Sequence, residues 1–148
     1  MINSLNEIST LDNALLRASN QENKGVTFIK SDQVEKFVTY KEIWKSARKL
    51  LSALRMRGLE EGNELIFQIE DAEVFVYTFW ACIIGRIIAV PITVENNNEH
   101  KFKMLNICKY LEHPFLATDD PDKIQRLKEF DVELKYGYMG STTLKIPV

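Results

Sequence analysis

The chain has 148 residues, 45% of them apolar and 27% charged, with a formal net charge of −2. That length suits one ordinary domain able to bury roughly 68–70% of its extended surface, and the composition excludes a disordered chain. The charge balance gives no electrostatic reason to expect nucleic acid as a partner.

Residues Met1 to Thr10 offer neither the basic start nor the apolar core of a signal peptide, so a cytoplasmic protein is expected. Thr10 is placed to cap a short helix whose inward residues are Leu11, Ala14, Leu15 and Ala18. Residues 26–30 and 36–39 then read as strands, with Ser31, Asp32 and Gln33 as the turn of a hairpin. A helix over 40–57 follows. Thr39 and Glu42 have the spacing of a capping box, and Tyr40, Ile43, Trp44, Ala47, Leu50, Leu51 and Leu54 recur on one face. Lys41, Lys45, Arg48, Lys49 and Arg55 occupy the other, which reads as a solvated face rather than a phosphate site. Gly58 is placed to end the helix in a left-handed conformation.

Residues 64–69 form a short predicted strand. The run 74–92 is apolar enough to imitate a membrane span, but Gly85, Arg86 and Pro91 interrupt it. It divides better into a buried helix over 71–85, capped by Asp71, and a β-branched strand over 87–93. No membrane span is therefore expected. A helix over 99–112 carries Phe102, Leu105, Ile107, Cys108 and Leu111 inward, and a strand covers 115–118. Asp120 and Pro121 suit the start of another helix with Ile124, Leu127 and Phe130 inward, and 132–138 reads as a last strand. From residue 64 onward, strands and helices alternate through short connections. That order predicts an α/β unit with a mostly parallel sheet and helices on both faces, plus an N-terminal helix and hairpin. No internal boundary divides 1–148, and the tail 140–148 supplies no closing element, which predicts truncation at the C-terminus.

Chemistry is scarce. Cys82 and Cys108 sit among apolar residues and read as buried free thiols. His100 and His113 have no cysteine or carboxylate at ligand spacing, so no metal site is expected. The stretch from Gly140 to Lys145 has hydroxyls but lacks the second glycine that would let backbone wrap a phosphate. Asp71, Asp119 and Asp120 are explained as caps before they are explained as acids or bases. No catalytic, cofactor-binding or metal-binding residue can be assigned from composition and spacing.

The order of small motifs does resemble a known family. Phe37-Val38-Thr39-Tyr40-Lys41-Glu42-Ile43 is similar to the Leu-Thr-Tyr-x-Glu-Leu helix start of the acyl-activating, adenylate-forming (AMP-binding) enzymes. Gly58-Leu59-Glu60-Glu61-Gly62-Asn63 resembles their helix end and turn, with Asn63 in place of the usual aspartate. Phe75 to Gly85 followed by Ala89-Val90-Pro91-Ile92 resembles their apolar helix and Val-Pro strand, although Gly85-Arg86 stands where Ala-Gly is usual. Leu105 to Leu111 and Pro114 to Asp119 are similar to the helix and strand that follow. The resemblance covers roughly residues 10–120 and is strongest to the adenylation or acyl-AMP ligase domains of bacterial polyketide and nonribosomal peptide synthases.

The resemblance implies an N-terminal, flavodoxin-like subdomain of an ATP-dependent ligase that activates a carboxylic acid for a phosphopantetheine thiol. ATP and Mg would be cofactors of the parent ligase, and phosphopantetheine would be carried by the acceptor carrier domain. The family's ATP-binding and catalytic motifs fall beyond the matched part, so none is carried onto this chain and the 148-residue piece is expected to be inactive. Its expected partners are the remainder of the adenylation domain and a carrier domain. Non-physiological self-association through Phe75, Phe79 or Trp80 is also expected. The alternative is a stand-alone flavodoxin-like binding or interaction module.

Overall fold

A computed structural model describes residues 10–94, 98–112, 114–123, 125 and 138–139. Helix α1 (Leu11–Ser19) opens it, followed by the antiparallel hairpin of β1 (Gly25–Ile29) and β2 (Glu35–Thr39). Helix α2 (Tyr40–Met56) leads into β3 (Glu64–Gln68), α3 (Ala72–Gly85) and β4 (Ile88–Pro91). After them come α4 (Asn98–Tyr110), β5 (Pro114–Thr118) and β6 (Tyr138–Met139). The larger sheet has the order β4-β3-β5-β6, and each neighbouring pair is parallel. Residues 121–123 and 125 are helical, as the sequence predicts; most of that helix, and 132–137 of the predicted last strand, lie outside the described residues.

The sheet's two faces sort its side chains by parity, as a strand must. Leu65 and Phe67 of β3, with Phe115 and Ala117 of β5, join the core that holds Leu50, Leu51 and Leu54 of α2 and Ala81 and Cys82 of α3. Ile66 and Leu116, one residue out of step, meet Met104 of α4 on the opposite face. Helices therefore cover both faces, as the alternation of elements predicts.

Helix α2 is specified locally at both ends. The Thr39 amide donates to Glu42 Oε2 at 2.7 Å while the Glu42 amide donates to Thr39 Oγ1 at 3.2 Å, completing the capping box. At the other end Leu59 N–H donates to the Leu54 carbonyl at 3.2 Å and Gly58 N–H to that of Arg55 at 3.0 Å. This pair of bonds is a Schellman closure, with Gly58 at φ 93° and both Leu54 and Leu59 buried.

Helix α3 ends in the same closure with different chemistry. Ile87 N–H donates to the Cys82 carbonyl at 2.9 Å and Arg86 N–H to that of Ile83 at 3.4 Å. The left-handed position is held by Arg86, at φ 54°, and not by Gly85. Gly85 is needed for space: a Cβ there would come within 2.4 Å of Leu51 Cδ1. The two closures dock on each other, since Gly62 N–H donates to the Arg86 carbonyl and Ile88 N–H to that of Asn63.

Several sequence expectations shift. Strand β4 is shorter than 87–93, because the Ile87 amide is consumed by the closure of α3. Thr10 precedes α1 but makes no side-chain cap bond; its hydroxyl is instead hydrogen-bonded to the Asp12 carboxylate, whose pKa this bond lowers. Leu11 and Phe102 point outward, at 57% and 61% exposure. Met104, Leu105, Ile107 and Cys108 of α4, with Leu111 just beyond it, face the second core, so of the residues expected inward there only Phe102 is turned away. Among the described residues no helix is long and apolar enough to cross a membrane.

The closure of α3 yields a stability prediction. Gly85→Ala should destabilise the chain by about 1–3 kcal/mol through overpacking against Leu51. Arg86→Gly should stabilise it by roughly 0.5–1 kcal/mol, as relief of left-handed strain outweighs the added freedom of the unfolded chain. Urea denaturation of both variants checks the pair; a stabilised Gly85→Ala protein would contradict the packing account.

Candidate functional site

In open parallel sheets the carboxyl ends of the strands are where ligands bind, so that edge is the first place to look. A cleft of about 450 Å³ lies there, lined by Phe28, Ile29, Lys30, Glu70, Asp71, Ala72, Glu73 and Asp119. The hairpin forms one wall. The start of α3 and the connections that follow β3 and β5 form the other.

The charged groups of this cleft are largely engaged with one another. Asp71 caps α3, its Oδ1 accepting from the amides of Glu73 at 2.9 Å and Val74 at 3.1 Å. Its Oδ2 accepts from Lys30 Nζ at 3.3 Å. Glu73 stands between two lysines of the hairpin, with Lys30 Nζ 3.0 Å from Oε2 and Lys36 Nζ 2.6 Å from Oε1. The Tyr77 hydroxyl, one turn along α3, also donates to Glu73 Oε1, at 2.8 Å. Asp119, just past β5, spans the sheet end: its Oδ2 accepts from the amides of Glu70 at 2.9 Å and Asp71 at 3.0 Å. Asp120 accepts from the Asp122 amide at 3.0 Å, the cap its position predicts. Asp119 departs from that expectation, because it ties two strand-end connections together and caps no helix.

Burial pushes the Glu73 carboxyl up, but the bonds from Lys36, Lys30 and Tyr77 outweigh it and hold its pKa below the ordinary 4.5. The Glu73 partner in turn raises Lys30. Burial, and then the Glu73 carboxylate, push the Tyr77 hydroxyl well above its usual range. These shifts describe a self-neutralised cluster and not an acid and base poised near neutrality.

Nor do these residues fit a nucleotide or a metal. The Lys30 ammonium already sits between Asp71 and Glu73, where a cation would go. Four carboxylates line the cleft, and a triphosphate would meet their repulsion. Among the described residues no group of three histidine, cysteine, aspartate or glutamate side chains could hold a metal ion.

The other residues singled out by sequence do not join the cleft. Cys82 is buried in the α2–α3 core, and desolvation pushes its thiol up to about 12. Burial likewise raises Cys108, a free thiol on α4 facing the second core. Both are poor nucleophiles at neutral pH. His100 lies in α4, whereas His113 and the stretch from Gly140 to Lys145 fall outside the described residues. Sequence reasoning missed Glu73, Lys30 and Lys36 as a cluster. The four-residue step from Glu73 to Tyr77 is legible on a helix, but both lysines come from a hairpin 37 or more residues away.

No protein-family model matches the chain. Solved structures match it closely. McyG A-PCP complexed with phenylalanyl-adenylate is 29% identical with a TM-score of 0.83, over 94% of this chain and 23% of that one. The adenylation domain of a keto acid-selecting NRPS module, bound to keto acyl adenylate, is 26% identical with a TM-score of 0.79, over 93% and 27%. The fatty acid AMP ligase from Legionella pneumophila shares the fold at 21% identity, with a TM-score of 0.76 over 93% and 24%. The parallel sheet, its helices and the N-terminal hairpin thus define an α/β subdomain of the adenylate-forming ligase type. Likeness in both sequence and fold to adenylation domains at 29% and 26% identity supports a place in the adenylate-forming superfamily. The chain spans about a quarter of the length of the structures it matches.

The cluster makes a pH prediction. Because the folded-state pKa of Glu73 lies below 4.5, its contribution is present above that value and is lost as pH falls through the folded pKa. Glu73→Gln should cost about 1–2 kcal/mol at neutral pH, most of it at the buried Tyr77 contact, since both lysines are more than a third exposed. The variant should also lose stability less steeply below pH 4.5, which denaturant titrations across the acid range would check.

Proposed function

We propose that this chain is a scaffold unit of an ATP-dependent ligase that forms an acyl- or aminoacyl-adenylate. The observation that carries this reading is the likeness over 94% of the chain, at 29% identity, to a protein solved with phenylalanyl-adenylate. In such a reaction a substrate carboxylate attacks the α-phosphorus of ATP, pyrophosphate leaves, and the acyl group passes to a thiol. Mg assists the parent ligase, and the acceptor is the phosphopantetheine arm of a carrier domain, as in polyketide or nonribosomal peptide synthesis. Catalysis of this kind depends on positioning the reactants and neutralising phosphate charge.

The contribution of residues 1–148 is architectural. They form the N-terminal subdomain and one wall of the larger domain, working with the remainder of the adenylation fold in the cytoplasm. Nothing in the cleft between hairpin and sheet is arranged to bind a triphosphate, which supports a scaffold role. One observation favours a second reading: that cleft of about 450 Å³ sits at the strand ends, where a stand-alone flavodoxin-like binding module would keep its ligand. The coding sequence after Val148 separates the two. A Ser/Thr/Gly-rich loop ending in Pro-Lys within the next hundred or so residues supports the ligase.

Two measurements test the proposal on the 148-residue chain. It should show no acid-dependent pyrophosphate exchange and no calorimetric heat with ATP; micromolar ATP affinity together with an acyl-adenylate product would overturn the scaffold reading. Phe75, Phe79 and Trp80 are half-buried against the core, with Phe79 and Trp80 stacked edge to face at 5.7 Å. Their remaining apolar surface is expected to give weak, non-physiological dimers, and sedimentation over a concentration series should show mass rising with concentration.

A further inference from the structure

Lys41, Lys45, Arg48, Lys49 and Arg55 are all exposed on α2. At 3.6 residues per turn they fall within an arc of about 120° and follow the helix axis for roughly 21 Å. No acidic residue stands in that arc. Glu42, just beside it, is committed to the capping box through Thr39. Among the described residues, none of the ion pairs involves these five cations. Lys41 and Lys45, Lys45 and Arg48, and Lys45 and Lys49 are like-charge pairs at three- or four-residue spacing, an arrangement that destabilises a helix. The stripe ends on Met56, which is 89% exposed. All this belongs to a chain whose net charge is −2.

We propose that the outer face of α2 is a docking surface for an acidic helix of another protein or domain, with an apolar residue of that helix seated on Met56. Charge complementarity selects the sign of the partner. The single-helix width of the stripe selects its size, one helix laid against another. A second helix laid along α2 presents carboxylates every three or four residues, at the spacing of these cations. An unbranched, polarizable methionine at the end of the row suits an apolar side chain and has no use for a phosphate. This inference stands apart from the ligase reading, since it concerns a face remote in chemistry from nucleotide binding.

The test uses the full 148-residue chain and a labelled, alanine-based helical peptide of ~20 residues carrying glutamate at every fourth position and one terminal leucine. Fluorescence anisotropy should show saturable binding at low salt that weakens at ~0.15 M. Lys45→Glu combined with Lys49→Glu should weaken binding about tenfold or more. Met56→Gln should cost roughly threefold. Circular dichroism should show the doubly reversed protein folded and no less heat-stable, since like-charge repulsion is relieved; if it is unfolded, Lys45→Gln and Lys49→Gln replace it. Unchanged peptide binding by the folded variants would overturn the proposal, as would failure of the peptide to saturate. Tighter binding of a DNA duplex or of phosphatidylserine vesicles than of the peptide would also overturn it.

Discussion

Strand β3 has water on neither side, and the rest of the fold is organised to permit that. All five of its residues are buried, it pairs with β4 on one edge and β5 on the other, and opposite faces meet different helices. Two of the five are polar, at the strand's two ends. Glu64 accepts from the Glu112 amide at 3.3 Å, and Gln68 donates its amide to the Thr93 carbonyl. Burying either without a partner would cost more than most single contacts return. The connections that follow β4 and α4 are therefore held in place by the central strand's own polar ends.

The same logic explains the charged cluster at the cleft. A small hairpin has little core of its own, and only Phe28 and Val38 of β1 and β2 reach the main core as buried side chains. Lys30 and Lys36 add a second attachment, reaching a glutamate whose side chain is 11% exposed at the start of α3. The backbone is fitted closely as well, for a Cβ at Gly25 would come within 2.0 Å of the Val38 carbonyl oxygen. Much of what looks like candidate chemistry at the strand ends is thus the fastening of one layer to another.

Local signals were the most legible. The capping box of Thr39 and Glu42, the glycine stop at Gly58, the Asp71 cap and the break in the 74–92 apolar run all follow from spacing within one turn of chain. Parity along β3 and β5 was legible in the same way. What escaped was decided by distant partners. Gly85 reads as a turn residue, yet its requirement comes from Leu51 on another helix. Phe102 reads as core because it is apolar, although the phase of α4 is set by Met104 against the sheet. The motif order pointed to the fold shared with adenylation domains where individual residues named no chemistry, since shared architecture leaves its trace in the sequence of caps, turns and strands.

Burial of β3 on both edges also sets the order in which the chain can be built. Glu64 pairs with Ile88 and again with Pro114, so the central strand leaves synthesis before either neighbour exists. Between it and its first partner lies α3, apolar on nearly every side. A nascent chain halted before β4 would hold a strand with both edges unpaired and a greasy helix covered only where it meets α2, a natural client for chaperones. The hairpin and α2, whose contacts are close in sequence, have no such wait. The N-terminal elements can therefore serve as a platform on which the sheet is later laid down.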